Sequence, residues 1–256
     1  DAALEHVSNV HGDMKAAGRG AFMLLRGDSG SGKSTFLHTV SLFRNGVEVA
    51  SLPREANLRD ALRTVGRTRS NLRILVVEGR EALSDVSRQE LEAAIHEING
   101  FIRSRSGEST LVVWPCNADD LQNTLIEICR RVGADSLVGV GEPYLRFLGP
   151  PKEQFLDIAS RTIGILNEGA SLTDLGVSES RTKQLINKAP TIGSFLGLLR
   201  QELLRNEGKV KKLIAQEQCR LWIVIVAGNE PENDVAALTR GNLIDCGHRS
   251  HDGCHT

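Results

Sequence analysis

Residues 27–35 read Gly-Asp-Ser-Gly-Ser-Gly-Lys-Ser-Thr, and no other stretch constrains this chain as strongly. Gly27, Gly32, Lys33 and Ser34 satisfy the spacing G-x-x-x-x-G-K-[ST]. The apolar run Ala21-Phe-Met-Leu-Leu25 enters it as a short strand, and Ser34 to Phe43 leaves it with helical spacing. A loop this rich in glycine can curl until successive backbone N–H groups point inward. The helix that follows adds the partial positive charge of its N-terminus. Such a loop cradles phosphate, so Gly27, Asp28, Ser29, Gly30, Ser31, Gly32, Lys33, Ser34 and Thr35 are candidate binding residues. Lys33 is placed for the β and γ phosphates, and the Ser34 hydroxyl for Mg²⁺. A plain Gly/Ser turn before a helix does not explain why strand, loop and helix arrive in this order.

Strand and helix then alternate. Val47 to Leu52 is a short strand ending at Pro53, and Asn57 to Val65 has helical spacing. Arg73 to Val77 is a continuous apolar strand of the kind buried on both faces. Ser87 opens an amphipathic helix to Ile102, with Glu90 in capping-box position. Thr110 to Cys116 is a third apolar strand. Asp119 or Asp120 opens a helix to Val132, stopped by Gly133, and Tyr144 to Leu148 is a last strand before Gly149-Pro150-Pro151. Five strands alternating with helices predict a mostly parallel three-layer α/β sheet, with ligand at the carboxyl ends of the strands.

From Lys152 the texture turns helical. Phe155, Ile158, Ala159, Thr162, Ile163 and Leu166 make one apolar stripe, and Ser178 to Ile186 and Thr191 to Leu204 read as further helices. The expected division is a nucleotide-binding α/β domain over 1–151, a small helical subdomain over 152–207 and a C-terminal extension over 208–256. Within that extension, residues 219–228 form an apolar run with a strong buried-strand signal. One such strand cannot satisfy its own backbone groups, which predicts a truncated multidomain protein. A start at Asp1 without Met fits a processed chain or a fragment.

Composition narrows the rest. The 256 residues carry 31 basic and 32 acidic side chains, a net charge of -1. That balance gives no general pull towards nucleic acid or anionic membrane. No run is long enough to span a bilayer, and the N-terminus does not read as a signal peptide. Five scattered cysteines, with Cys116 and Cys129 inside apolar elements, predict free thiols in a reducing cytoplasm. Cys246, His248, His251, Cys254 and His255 fit no standard zinc spacing. The run Arg59, Arg63, Arg67, Arg69 and Arg73 reads first as a solvated face.

Hydrolysis needs more than a phosphate cradle. An acid at the end of a second strand can hold the Mg²⁺ water shell, and Glu78 stands there. The residue after it is Gly79, which cannot act as a base. Glu81 is the nearest candidate to polarise an attacking water, with Asp85 a weaker substitute. Asn117, at the end of the third apolar strand, is placed to contact the γ-phosphate or to orient the water. Its alternative role is to cap the next helix.

With these pieces in order, the span from Ala21 to about Asn206 resembles AAA+ ATPases and the related signal-transducing STAND ATPases. The resemblance rests on the P-loop, the acid-ended and polar-ended strands, the helix ending in Arg130 and Arg131, and the passage through proline into helices. It implies a P-loop NTPase three-layer sandwich with a parallel five-stranded sheet in the order 5-1-4-3-2 and a small helical lid subdomain. It further implies ATP and Mg²⁺ as cofactors, with Ser34 and Glu78 on the metal. Arg130 and Arg131 take the place of an arginine finger, so self-association through the nucleotide interface is expected. A protein or nucleic-acid partner, not identified by the sequence, would receive the motion. Thr191-Ile-Gly-Ser stands where the family often carries a second sensing arginine.

Two other readings stay open. A P-loop small-molecule or nucleic-acid kinase would use Arg161 or Arg181 over the phosphates. A non-hydrolysing nucleotide-dependent scaffold would fit Gly79. Asn187-Lys188-Ala189-Pro190 lacks the Asp of a guanine-reading N-K-x-D element and follows a helix, which argues against GTP.

Overall fold

The computed structural model describes residues 2–133, 137 and 144–216. Residues 219–228 and the Cys/His group at 246–255 lie outside the described residues. Five strands form one sheet: β1 (Ala21–Arg26), β2 (Val47–Leu52), β3 (Leu72–Val77), β4 (Thr110–Cys116) and β5 (Tyr144–Arg146). Every pairing is parallel, and the order is β2-β3-β4-β1-β5. Read from the other edge this is 5-1-4-3-2, as expected. β1, which feeds the loop at 27–35, lies between β4 and β5, with Ala21 beside Leu111 and Arg26 beside Cys116.

Period-two alternation makes two cores from the same strands. Ala21, Met23 and Leu25 face one side of the sheet with Ile74, Val76, Leu111 and Val113. They pack against Leu37 and Val40 of α2 (Lys33–Phe43) and Val7 and Met14 of α1 (Ala2–Ala17). Phe22 and Leu24 face the other side with Leu75, Val77, Val112 and Trp114. There they meet α3 (Leu58–Thr64), α4 (Arg88–Ile102) and α5 (Asp119–Val132). Both faces of β1, β3 and β4 are buried, which is why these strands read as unbroken apolar runs.

Local chemistry sets the helix ends. The Ser87 hydroxyl accepts from the Glu90 N–H, and the Glu90 carboxylate accepts from the Ser87 N–H, a complete capping box. α5 stops at Gly133, whose φ of 104° suits glycine. Sequence periodicity missed α1, although Leu4, Val7, Val10 and Met14 mark its inward stripe. β5 is shorter than expected, ending at Arg146.

A third cluster joins α6 (Phe155–Leu166), α7 (Glu179–Lys188) and α8 (Ile192–Gln216). Phe155, Leu185 and Leu199 lie in it, and Phe155 stacks on Phe195 with ring centroids 5.8 Å apart. α8 runs past the expected stop at Leu204, because Arg205 to Gln216 is rich in helix-forming side chains without a proline. Asp1–Asn206 form one compact unit. A second begins at Glu207, and residues 207–216 of it are described as the last turns of α8.

Candidate functional site

The loop at 27–35 follows β1 and turns into α2. Gly30 and Gly32 hold φ values of 78° and 97°, a region that side chains rarely enter. Gly32 precedes the first helical residue, so its conformation turns the chain from loop to helix. Lys33 is only 6% exposed. Its ammonium donates to the carbonyls of Gly27 and Asp28 and to Asn117 Oδ1 at 2.8 Å. Burial lowers its pKa below the usual lysine range and the charge of Arg26 adds to this, while Glu81 and Asp28 oppose it. The Ser31 hydroxyl is buried without a hydrogen-bond partner in the loop, an orphan of the kind that a bound group satisfies.

Around this loop lies a cavity of about 710 Å³, within the range of small-ligand sites. Its polar lining includes Ser29 to Thr35, Thr39, Glu81, Asn117 and Thr162, and its apolar lining Phe36, Phe147, Pro150, Ile158, Ile192 and Leu196. Phe36 and Phe147 pack with centroids 5.1 Å apart.

Of the residues expected from sequence, Lys33, Ser34, Glu81 and Asn117 line this cavity together. The Asn117 N–H also donates to the Glu81 carbonyl at 2.8 Å, so the ends of β3 and β4 are tied at the cavity wall. Glu81 Oε1 accepts from the Gly79 N–H at 2.9 Å. Trp114, fully buried in β4, donates its indole N–H to the Arg80 carbonyl at 2.8 Å. Glu78 lies at the end of β3 but is turned elsewhere. Its Oε1 accepts from Ser51 Oγ at 2.7 Å and meets His38 Nε2 at 2.9 Å. Arg131 bonds Glu127, which also takes Arg88 at 3.0 Å, and Arg131 reaches Glu92 at 3.5 Å. These residues occupy the outer surface of α4 and α5, and neither Arg130 nor Arg131 lines the cavity. For Asp85 the backbone alone is described, in a 3₁₀ turn. Arg161 pairs with Asp157, and Arg181 with Glu202.

Sequence reasoning missed two parts of the site. Arg26 ends β1 almost fully buried. Its Nε donates to Asp119 Oδ1 at 2.6 Å and its Nη1 to Asp28 Oδ1 at 3.0 Å. Burial would lower its pKa, but the hydrogen bonds that it donates to the two carboxylates outweigh that and raise it. The signal was a charge closing an otherwise apolar strand. The second part is the start of α8. The Gly193 N–H donates to the Gly30 carbonyl at 2.8 Å, and Thr191 Oγ1 donates to the Ser29 carbonyl at 3.3 Å. A Cβ on Gly193 would stand 2.8 Å from Gly30 Cα, so glycine is needed on both sides of this contact.

Among the described residues, no group of three or more His, Cys, Asp or Glu is arranged to hold a metal, and no helix is long and apolar enough to cross a membrane.

Comparison with solved structures finds the same layout. The ADP form of the Aeropyrum pernix ORC2 protein aligns with a TM-score of 0.50 and 13% identity, over 86% of this chain and 65% of that one. Drosophila ORC bound to DNA aligns with a TM-score of 0.51 and 14% identity, over 95% of this chain and 62% of that one. The chain thus spans less than two thirds of either. At such identities the likeness is one of fold, a parallel five-stranded α/β sandwich of the P-loop NTPase kind. No family model matches the sequence, and no curated protein matches it.

Proposed function

We propose that this chain binds ATP with Mg²⁺ in the cavity above α2 and couples binding and slow or regulated hydrolysis to conformational change. The observation that carries this reading is the convergence of Lys33, the glycine loop and Asn117 on one nucleotide-sized cavity. Lys33 now spends its ammonium on two carbonyls and an amide oxygen. Phosphate oxygens would replace these neutral acceptors with negatively charged ones, which adds ionic attraction to the bonds that the ammonium makes.

Turnover would follow from the same wall. Glu81 lines the cavity beside Asn117, and its carboxylate would take the proton of an attacking water held by the Asn117 amide. A bond forms from water oxygen to the γ phosphorus, the bridge to the β-phosphate breaks, and ADP leaves. Bound Mg²⁺ would neutralise the developing charge, with Ser34 as ligand and Glu78 on its water shell. Asp28, Ser29, Gly30, Ser31, Gly32 and Thr35 complete the cradle.

The domains proposed are 1–151 for nucleotide binding, 152–207 as a lid and 208–256 as an extension. Arg130 or Arg131 would act on a neighbouring subunit's nucleotide once freed from Glu127. A partner that is protein or nucleic acid would receive the motion, in the cytoplasm. The ADP and DNA of the matched ORC structures support this choice of ligand and partner class.

Glu78, bound to Ser51 and His38 rather than turned to the cavity, favours a second reading, a nucleotide-dependent scaffold that does not hydrolyse. Steady-state phosphate release by the purified chain, alone and at rising concentration, separates the two. Release that grows with concentration supports the ATPase. Tight ATP binding without release supports the scaffold, and transfer only to an acceptor would make the chain a kinase.

A further inference from the structure

We propose that the amino end of the sheet, the end away from the glycine loop, binds the backbone of single-stranded nucleic acid. This rests on the reading above for its class of partner, while the contact itself needs no nucleotide.

In a parallel sheet every strand starts at the same end. Residues 18–20, 44–46, 65–71 and 103–109 lead into β1, β2, β3 and β4. These connections hold Arg19, Arg44, Arg67, Arg69, Arg103 and Arg105 against one acid, Glu108. Glu108 pairs with Arg67 at 3.0 Å, and Glu48 in β2 accepts from Thr68 Oγ1 at 3.0 Å. The net charge of -1 conceals this array, because Asp28, Glu78, Glu81 and Asp119 follow the strands at the other end.

Arg73, buried at the start of β3, fixes the array. Its Nη1 donates to the Gly66 carbonyl at 2.8 Å and its Nη2 to that of Ser106 at 2.9 Å. The two richest connections are thereby joined. The Leu72 N–H donates to the Gly46 carbonyl at 3.2 Å, and the Gly20 N–H to that of Ile102 at 2.9 Å, which ties in the other two. Helix ends account for part of the charge. α2 and α4 close just before Arg44 and Arg103, where the negative end of the helix dipole favours a cation. That effect fades within a turn, and Arg69 and Arg105 lie out in the loops. Arg69, Arg103 and Arg105 are exposed, and their guanidinium groups make no hydrogen bond or ion pair among the described residues.

Four strands about 4.8 Å apart make a row about 14 Å long. A stacked nucleic-acid strand carries a phosphate about every 3.4 Å, so the row spans about four of them. Guanidinium forks match phosphate oxygens in a way that ammonium does not. Phe43 ends α2 beside Arg44 and is 71% exposed. Its ring offers an unpaired base a face to stack on, which the paired bases of a duplex cannot use.

The test is fluorescence anisotropy of labelled oligothymidylate, and of its duplex with oligoadenylate, against the full chain without ATP. The parent should bind the single strand more tightly than the duplex, and more weakly as salt rises. Changing Arg69, Arg103 and Arg105 together to Gln should weaken the single strand about tenfold or more and cut the slope of log affinity on log salt by about 2, at about 0.7 per phosphate contact. The same change at Arg161, Arg200 and Arg205 should alter neither. Phe43→Ala should weaken the single strand about fivefold or more and leave the slope unchanged. Circular dichroism checks that each variant is folded. The proposal is overturned if the parent binds neither oligonucleotide, binds phosphatidylserine vesicles instead, or binds the duplex equally well. It is overturned too if the control triple loses as much affinity, or if Phe43→Ala loses none. ATP titration of the same samples scores the nucleotide reading separately: the first triple variant should keep the parent's ATP affinity, and a chain that binds oligothymidylate but no ATP would sink that reading and leave this one standing.

Discussion

Lys33 Nζ stands 2.8 Å from Asn117 Oδ1, so the lysine of the glycine loop and the first residue after β4 meet directly. Their positions are 84 residues apart in sequence. The parallel pairing of β1 with β4 brings them together, and a polyphosphate would enter between them.

Lys33→Ala should weaken ATP binding by about a hundredfold or more, because a buried charged donor contributes about 1.5–3 kcal/mol per hydrogen bond. The fold should persist, since the methylene stem is the only apolar part lost. Titration with a fluorescent ATP analogue, beside circular dichroism, reads both. Parent-like affinity would remove the loop from the site.

Glu81→Gln should trap bound ATP, with turnover falling by a factor of about 10²–10⁴, the range of one general base, while affinity stays near the parent value. Glu78→Gln should chiefly raise the Mg²⁺ concentration needed for half-maximal binding. Single-turnover release of phosphate and a Mg²⁺ titration distinguish the two. Full turnover in the Glu81 variant moves the base role elsewhere, with Asp85 tested next.

Gly193→Ala should disturb the contact between α8 and the loop. Its Cβ would lie 2.8 Å from Gly30 Cα and 2.9 Å from Gly30 O, inside any backbone contact that proteins tolerate. Overpacking of this kind costs about 1–3 kcal/mol. Thermal melts should show the loss, and nucleotide affinity should fall with it. An unchanged melt would mean that the α8 start gives way freely.

Glu90→Ala should lower Tm by a few degrees near neutral pH and by less in acid. Hydrogen bonds from the Ser87 hydroxyl, then from its N–H, hold the Glu90 carboxyl below the ordinary value of 4.5. A carboxyl depressed in the folded state contributes stability that is present above its unfolded pKa. That contribution is lost as pH falls through the folded value. The gap between variant and parent should therefore narrow below about pH 4.5, measured by melts from pH 7 to pH 3. A constant gap would place the effect in helix propensity instead.

The loop and the sheet are legible in the sequence because their constraints are local. Gly30 and Gly32 announce a left-handed backbone, and the runs Arg73–Val77 and Thr110–Cys116 announce burial on both faces. Arg26 and Gly193 are not legible. Each acts through a partner far away in sequence, Asp119 for one and Gly30 for the other, and neither spacing nor periodicity encodes such pairs. Glu78 shows the same limit. Its place at a strand end can be read, but its turn towards Ser51 and His38 follows from how β2, β3 and α2 are stacked. α1 was hidden for a different reason: its stripe is short and only weakly apolar.

Trp114 gives the molecule its own spectroscopic reporter. Its indole N–H is bonded to the carbonyl of Arg80, the residue before Glu81, and its strand ends at Cys116, the residue before Asn117. Any shift of the Glu81 segment relative to β4 changes that bond and with it the wavelength and intensity of emission from a fully enclosed ring. The sequence holds one other tryptophan, Trp222, so replacing it with phenylalanine isolates the signal. Stopped-flow mixing with nucleotide then times rearrangement at the cavity wall without any attached dye.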